Sequence, residues 1–206
     1  MRLLAAAAAI AALSGCLSVS VGAGDAPAFT YFVLADARPA SAKPSASGAA
    51  AKLAIQGTGA DPLADSTALV YSRREGERAL YQFAAWTERP SRRLAQLAQQ
   101  RLEAGGQFAT VAQLGQPVAT DWLLTLAVDT LVHDVSASPG RAQIVLRAEL
   151  VDRRDRRLAA RRTFSASAPV AEVSSAAAVQ AFGTATAELL DQLAPWVETT
   201  VAAARR

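Results

Sequence analysis

The sequence predicts an α+β fold, an antiparallel sheet with two main helices packed on one face. Residues Arg141 to Asp152 alternate, with Ile144, Leu146, Ala148 and Leu150 on one side and Gln143, Arg147 and Glu149 on the other. That is the period of two expected of a half-buried strand. Val179, Phe182, Thr186, Leu189, Leu190 and Leu193 recur instead at helical spacing, in a stripe wide enough to lie on such a sheet. Strands then a helix, twice over, is the order expected when helices segregate to one side of a sheet.

A leader precedes the folded part. Arg2 gives a short positive start, and Leu3 to Leu13 is an unbroken run of Leu, Ala and Ile. The run is about half the roughly 20 residues a helix needs to span a bilayer, which fits the apolar region of a signal peptide. It ends in Leu13-Ser14-Gly15-Cys16, which resembles a bacterial lipobox. A thiolate there can take a diacylglycerol group as a thioether, and the small residues before it admit a peptidase. Against this stands an ordinary leader with a cysteine near its end by chance. Cys16 is, however, the only cysteine of the chain, so we expect lipid attachment at Cys16. The layout is then a signal peptide over 1–15, the lipidated cysteine and a Gly-rich flexible tether over 16–27, and one domain over 28–206. Leu17, where an Asp would retain a lipoprotein on the inner membrane, points to the outer membrane and its periplasmic face.

Composition narrows the function. Alanine dominates the 51% of hydrophobic residues, and the formal charge of +3 falls by one when Arg2 leaves with the leader. The charges are spread along the chain, so nothing asks for nucleic acid. With Cys16 acylated, no thiol remains for a disulfide or a redox pair.

Phe29 to Leu34 reads as a short strand, and the Ala/Ser/Pro stretch Ala35 to Ala51 as a loop. Lys52 to Gly57 is a strand. Thr67 to Ser72 and Ala79 to Phe83 flank Arg74-Glu75-Gly76-Glu77 as a hairpin, with Gly76 supplying a positive φ. Pro90 opens a helix running to Ala104, its face marked by Leu94, Leu97, Ala98, Arg101 and Leu102, and Gly105-Gly106 stops it. Phe108 to Leu114 and the long apolar run Thr120 to Val135 are strands, and Ser136 to Gly140 is a turn. The alternating strand Arg141 to Asp152 follows, then the charged turn Arg153 to Arg157 and a strand from Leu158 to Ala166, which completes a meander. The last helix spans Ser175 to about Leu193, with Pro195 expected to kink or end it and Trp196 and Val197 in a terminal turn.

Catalytic chemistry lacks its usual parts. No phosphate-binding Gly-Lys-Ser/Thr loop occurs, and the one histidine, His133, reads as a strand residue without catalytic duty. No catalytic residues, metal ligands or cofactors are assigned, and an enzyme is not expected. The arginines at 153–157, with Arg161 and Arg162, suit either a solvated turn or an anionic partner. Trp86 suits a core position joining helix to sheet or an interface anchor, and Tyr31 and Phe32 read as edge-strand packing.

The order of these segments resembles the ABC-type transport auxiliary lipoproteins, the PqiC-like family linked to MCE-type lipid transporters. The shared features are the lipobox, Tyr31-Phe32-Val33-Leu34, Trp86-Thr87-Glu88-Arg89-Pro90 entering the first helix, and Leu124 to Asp129. They continue in Asp152 to Leu158 and the helix with Val179, Ala181, Phe182 and Leu189 that ends at Trp196. The chain departs from the family in its Ala/Ser-rich stretch after Leu34 and in the loop Thr58 to Ser66. The resemblance implies a non-catalytic periplasmic subunit whose partners are an MCE-domain protein and ABC transporter subunits. Exposed sheet edges make a homo-oligomer a further expectation. A structural or regulatory lipoprotein serving another envelope assembly, such as cell-wall synthesis machinery, is the alternative.

Overall fold

The computed structural model describes residues 27–41 and 50–205. Eight strands form one sheet: β1 (Thr30–Phe32), β2 (Lys52–Gly59), β3 (Ala68–Ser72), β4 (Ala79–Trp86), β5 (Thr110–Gln113), β6 (Trp122–Asp134), β7 (Arg141–Asp152) and β8 (Arg157–Pro169). Two helices, α1 (Pro90–Gly105) and α2 (Ser175–Ala204), complete a single α+β domain.

The meander forms as its alternation requires. β6 pairs antiparallel with β7 from Trp122↔Asp152 to Asp134↔Arg141, and β7 pairs antiparallel with β8 along its whole length. Ile144, Leu146, Ala148 and Leu150 are fully buried beneath the helices. The rest of the sheet is mixed, not antiparallel throughout. β2 runs parallel to β5 and to β6, β1 parallel to β4, and β3 parallel to the last two residues of β6. The β3–β4 hairpin alone is antiparallel there. Parallel neighbours need long crossovers: the path from β2 and β3 to β5 and β6 passes through α1, and that from β1 to β4 passes through β2 and β3.

β6 is the branch point. Its other edge is shared end to end by two strands, β2 beside Trp122–Val128 and β3 beside His133–Asp134. Between them a register shift at Asp129 adds a residue. Before the shift Trp122, Leu124, Leu126 and Val128 point inward; after it Leu131 and His133 do. Such a bulge re-aims every side chain beyond it.

Both helices lie on one face, α1 over β2, β5 and β6, and α2 over β7 and β8. Pro90 occupies the first turn of α1, where its missing N–H costs nothing, and Gly106 closes the helix at φ 68°. Ser174 caps α2 by accepting the Ala177 N–H at 3.1 Å. Phe182 of α2 meets Trp86 of β4 edge-on at 5.6 Å, and Trp196 meets Phe164 of β8 at 5.5 Å. Pro195 does not end the helix, which continues to Ala204. The proline removes one N–H and leaves the carbonyl of Asp191 without its helical donor. Asp191 lies on the exposed side, and Val197 and Val201 beyond the proline are buried. Burial past Pro195 outweighs the lost bond.

Candidate functional site

One corner of the sheet concentrates the polar and aromatic groups that are neither turn nor core filler: the β3–β4 hairpin with the ends of β6 and β7. The Glu77 N–H donates to the Arg74 carbonyl across the turn, and Gly76 takes the positive φ expected of it, 77°. Tyr71 of β3 stands opposite His133 of β6, and Tyr81 of β4 reaches the same histidine.

His133 is fully buried, and both ring nitrogens are engaged. Nε2 lies 2.9 Å from the Pro139 carbonyl, which can only accept, so this nitrogen is the donor. In the neutral ring Nδ1 therefore accepts from the Tyr81 hydroxyl, 2.7 Å away. Burial, reinforced by neighbouring Tyr71, pushes the Tyr81 phenol above its ordinary pKa and keeps it a donor. A ring so placed packs and bonds; it offers neither nitrogen to a substrate.

Two open clefts flank the hairpin. One, of about 290 Å³, is lined by Tyr71, Arg73, Leu80, Tyr81, Val135 and Val173, with the Arg73 guanidinium 5.0 Å above the Tyr71 ring. The other, of about 450 Å³, is lined by Arg74, Glu75, Arg78, Asp134, Ser136 and Gln143 among others. Asp134 is held below the usual carboxylate range, first by hydrogen bonding with Ser136 and then by Gln143 and the adjacent His133. Mixed charge in shallow clefts suits contact with another surface. Among the described residues, no three His, Cys, Asp or Glu side chains gather to hold a metal ion.

The remaining residues singled out in the sequence fall elsewhere. Cys16 lies outside the described residues. Arg153 to Arg156 form an exposed turn in which Arg154 pairs with Asp152 at 3.3 Å and Arg153 bonds Thr120, and Arg157 opens β8. Arg161 pairs with Glu149 at 2.8 Å, and Arg162 lies over Phe164. Trp86 is a core residue. Phe32 packs against the core, whereas Tyr31 is 67% exposed and joins Phe29 in a surface aromatic pair, ring centres 5.1 Å apart. Alternation along β1 could have separated Tyr31 from Phe32.

Sequence reasoning missed a buried ionic bolt. Arg101 of α1 bonds Asp36 after β1 and Asp191 of α2, and donates to the Arg38 carbonyl at 2.7 Å. Burial disfavours its charge, but the bonds to both carboxylates outweigh burial and raise its pKa. It ties the N-terminal strand segment to both helices.

The chain matches the family model described as "ABC-type transport auxiliary lipoprotein component" over residues 32–194. It belongs to that family. The match runs from β1 to one residue before Pro195, so it takes in the hairpin corner and the ionic bolt. Among solved structures, this auxiliary lipoprotein component is similar to protein XCC0632 from Xanthomonas campestris, with a TM-score of 0.74 at 24% identity over 84% of this chain and 99% of that one. An uncharacterised protein is similar with a TM-score of 0.60 at 13% identity, over 78% of this chain and 99% of its own. Both likenesses are of fold. No curated protein is similar enough in sequence to match.

Proposed function

We propose that this protein is a lipid-anchored periplasmic accessory subunit of an ABC transport system of the MCE type, moving lipid between the inner and outer membranes. The observation that carries the reading is the family match over residues 32–194, which takes in β2 to β8, all of α1 and the first two thirds of α2. In this reading residues 1–15 are removed, Cys16 is acylated, 16–27 form the tether, and 28–206 are the domain that meets the transporter. Leu17 after the cysteine favours the outer membrane. The partners are the MCE-domain protein and the ABC transporter subunits. The subunit works by protein contact, not by turnover.

The geometry supports contact in a specific way. The helix-free face of the meander carries Arg147 paired with Asp129 at 3.2 Å and Arg161 paired with Glu149, a laddered polar surface with its charges already matched. Such exposed pairs add little to stability, which leaves the polar face available for contact.

Crosslinking in intact cells, followed by recovery of the tagged protein and mass spectrometry, tests the assignment. A permease, ATPase or MCE-domain subunit is the expected catch. Recovery of cell-wall synthesis enzymes with no transporter subunit overturns it in favour of a structural envelope role.

A further inference from the structure

Six large apolar side chains stand exposed along the β1–β4 edge and the adjoining cleft: Phe29, Tyr31, Val33, Leu80, Phe83 and Val173. Phe29 and Phe83 each precede a member of the Thr30↔Ala84 pair, which sets them side by side at the start of β1. Leu80 lies three positions earlier on β4 and shares the cleft beside Tyr81 with Val173. A monomer that leaves such a band open is presenting it to something.

The path of the chain says what that is. β1 runs parallel to β4, so Pro27 and Ala28, just before Phe29, lead back toward the β3–β4 turn. That turn carries Arg73, Arg74 and Arg78 against Glu75 and Glu77, with Arg74 and Glu77 paired at 3.1 Å. Cys16 stands thirteen positions before Phe29. At roughly 3.5 Å per extended residue it can be no more than about 45 Å from the band. The tether therefore lets these side chains reach a bilayer that holds Cys16. Aromatic rings favour the level of the headgroups, and guanidinium groups bond lipid phosphates. A second copy of the chain is the poorer occupant, because β1 is only three residues long and offers little edge to pair.

We propose that the β1–β4 edge and the hairpin turn form a bilayer-facing surface, with Phe29, Tyr31 and Phe83 entering the lipid interface and the turn arginines meeting phosphates. The proposal rests on the lipid-anchor reading of Cys16. It gives the domain a fixed attitude on the membrane and leaves the helices and the meander turned toward other subunits.

The lipidated protein, purified from membranes, would be reconstituted into vesicles of phosphatidylethanolamine and phosphatidylglycerol containing phosphatidylcholine brominated in its acyl chains. Tyr31→Trp places a reporter in the band. Leu158→Trp, at an exposed position by the charged turn at the far end of β7, is the control. Bromine should quench the reporter at 31 beyond the wild-type background and leave the reporter at 158 at that background. If the protein floats with the vesicles but neither reporter is quenched, the bilayer-facing surface is wrong and the anchor stands. If wild type fails to float, the anchor reading fails and the proposal falls with it. A reporter at 31 shielded from both bromine and aqueous iodide points to a second copy, and also overturns the proposal.

Discussion

Arg101 shows how one side chain can hold three segments together. Its side chain is 10% exposed and that of Asp36 7%, and removing the cation leaves the Asp36 carboxylate buried with only the Arg38 N–H to bond it. Arg101→Met keeps the packing stem and is expected to cost about 3 kcal/mol, the lower end for breaking a buried pair; chemical denaturation measures it. Gly57 is a different kind of constraint. A Cβ there would lie 2.1 Å from the Ser91 carbonyl oxygen, so α1 sits directly on the strand backbone. Gly57→Ala should destabilise by about 1–3 kcal/mol through overpacking, whereas alanine at Gly183, whose nearest contact would be 3.6 Å, should be far milder. Asp134 makes a pH prediction. Its folded pKa is lowered, so its contribution is complete above the unfolded carboxylate value of about 3.9 and is lost as pH falls through the folded value. The melting-point gap between wild type and Asp134→Ala should therefore shrink between about pH 5 and pH 2. A gap that widens on acidification would show that the carboxylate is not stabilised in the fold.

At the scale of elements, what the sequence made legible was local. The β7 alternation, the Gly76 hairpin, the proline at the start of α1 and the Phe182 stripe each depend on residues within a few positions of one another. All four stand in the structure. The parallel pairings were not legible, because β2 and β6 meet across about seventy residues and nothing in either strand names the other. Separation along the chain, here 26 residues, also hid the α1 cap. Arg89 gives no side-chain cap, and Asp65, from the loop after β2, accepts the Ser91 N–H at 2.8 Å instead. Asp65→Ala should cost about 1 kcal/mol, as for other lost caps. Of the two outcomes expected at Pro195, a kink or an end, the helix does not end there, because Val197 and Val201 beyond it are buried. Pro195→Ala should restore the bond to the Asp191 carbonyl and raise stability, by up to the roughly 3 kcal/mol a mid-helix proline costs, read from the melting point.

Across the whole molecule, the candidate site was less legible than the fold, since the aromatic band exists only once β1 is laid beside β4. The same pairing decides where the folded unit begins. β1 is short, but the segment after it buries Leu34 at 3% exposure, sends Asp36 into the ionic bolt and donates the Ala37 N–H to Gly183 of α2 at 3.2 Å. The Leu34 carbonyl also accepts from Arg93 of α1 at 2.8 Å. The N-terminal segment is thus built into both the sheet, through β1, and the helix layer, through residues 34–37, and is not an appendage of the tether. Two truncations separate these possibilities. A chain starting at Pro27 keeps every one of these contacts and should melt where the unlipidated full-length domain melts, in one cooperative step. A chain starting at Pro39 loses Leu34 and leaves Arg101 without Asp36. The leucine alone is worth about 2–5 kcal/mol, and each kcal/mol shifts the midpoint of a domain this size by about 2–4 °C. The shorter chain should therefore melt at least about 5–10 °C lower. Equal midpoints for the two truncations would place the start of the domain after β1 and leave the aromatic band on a dispensable segment.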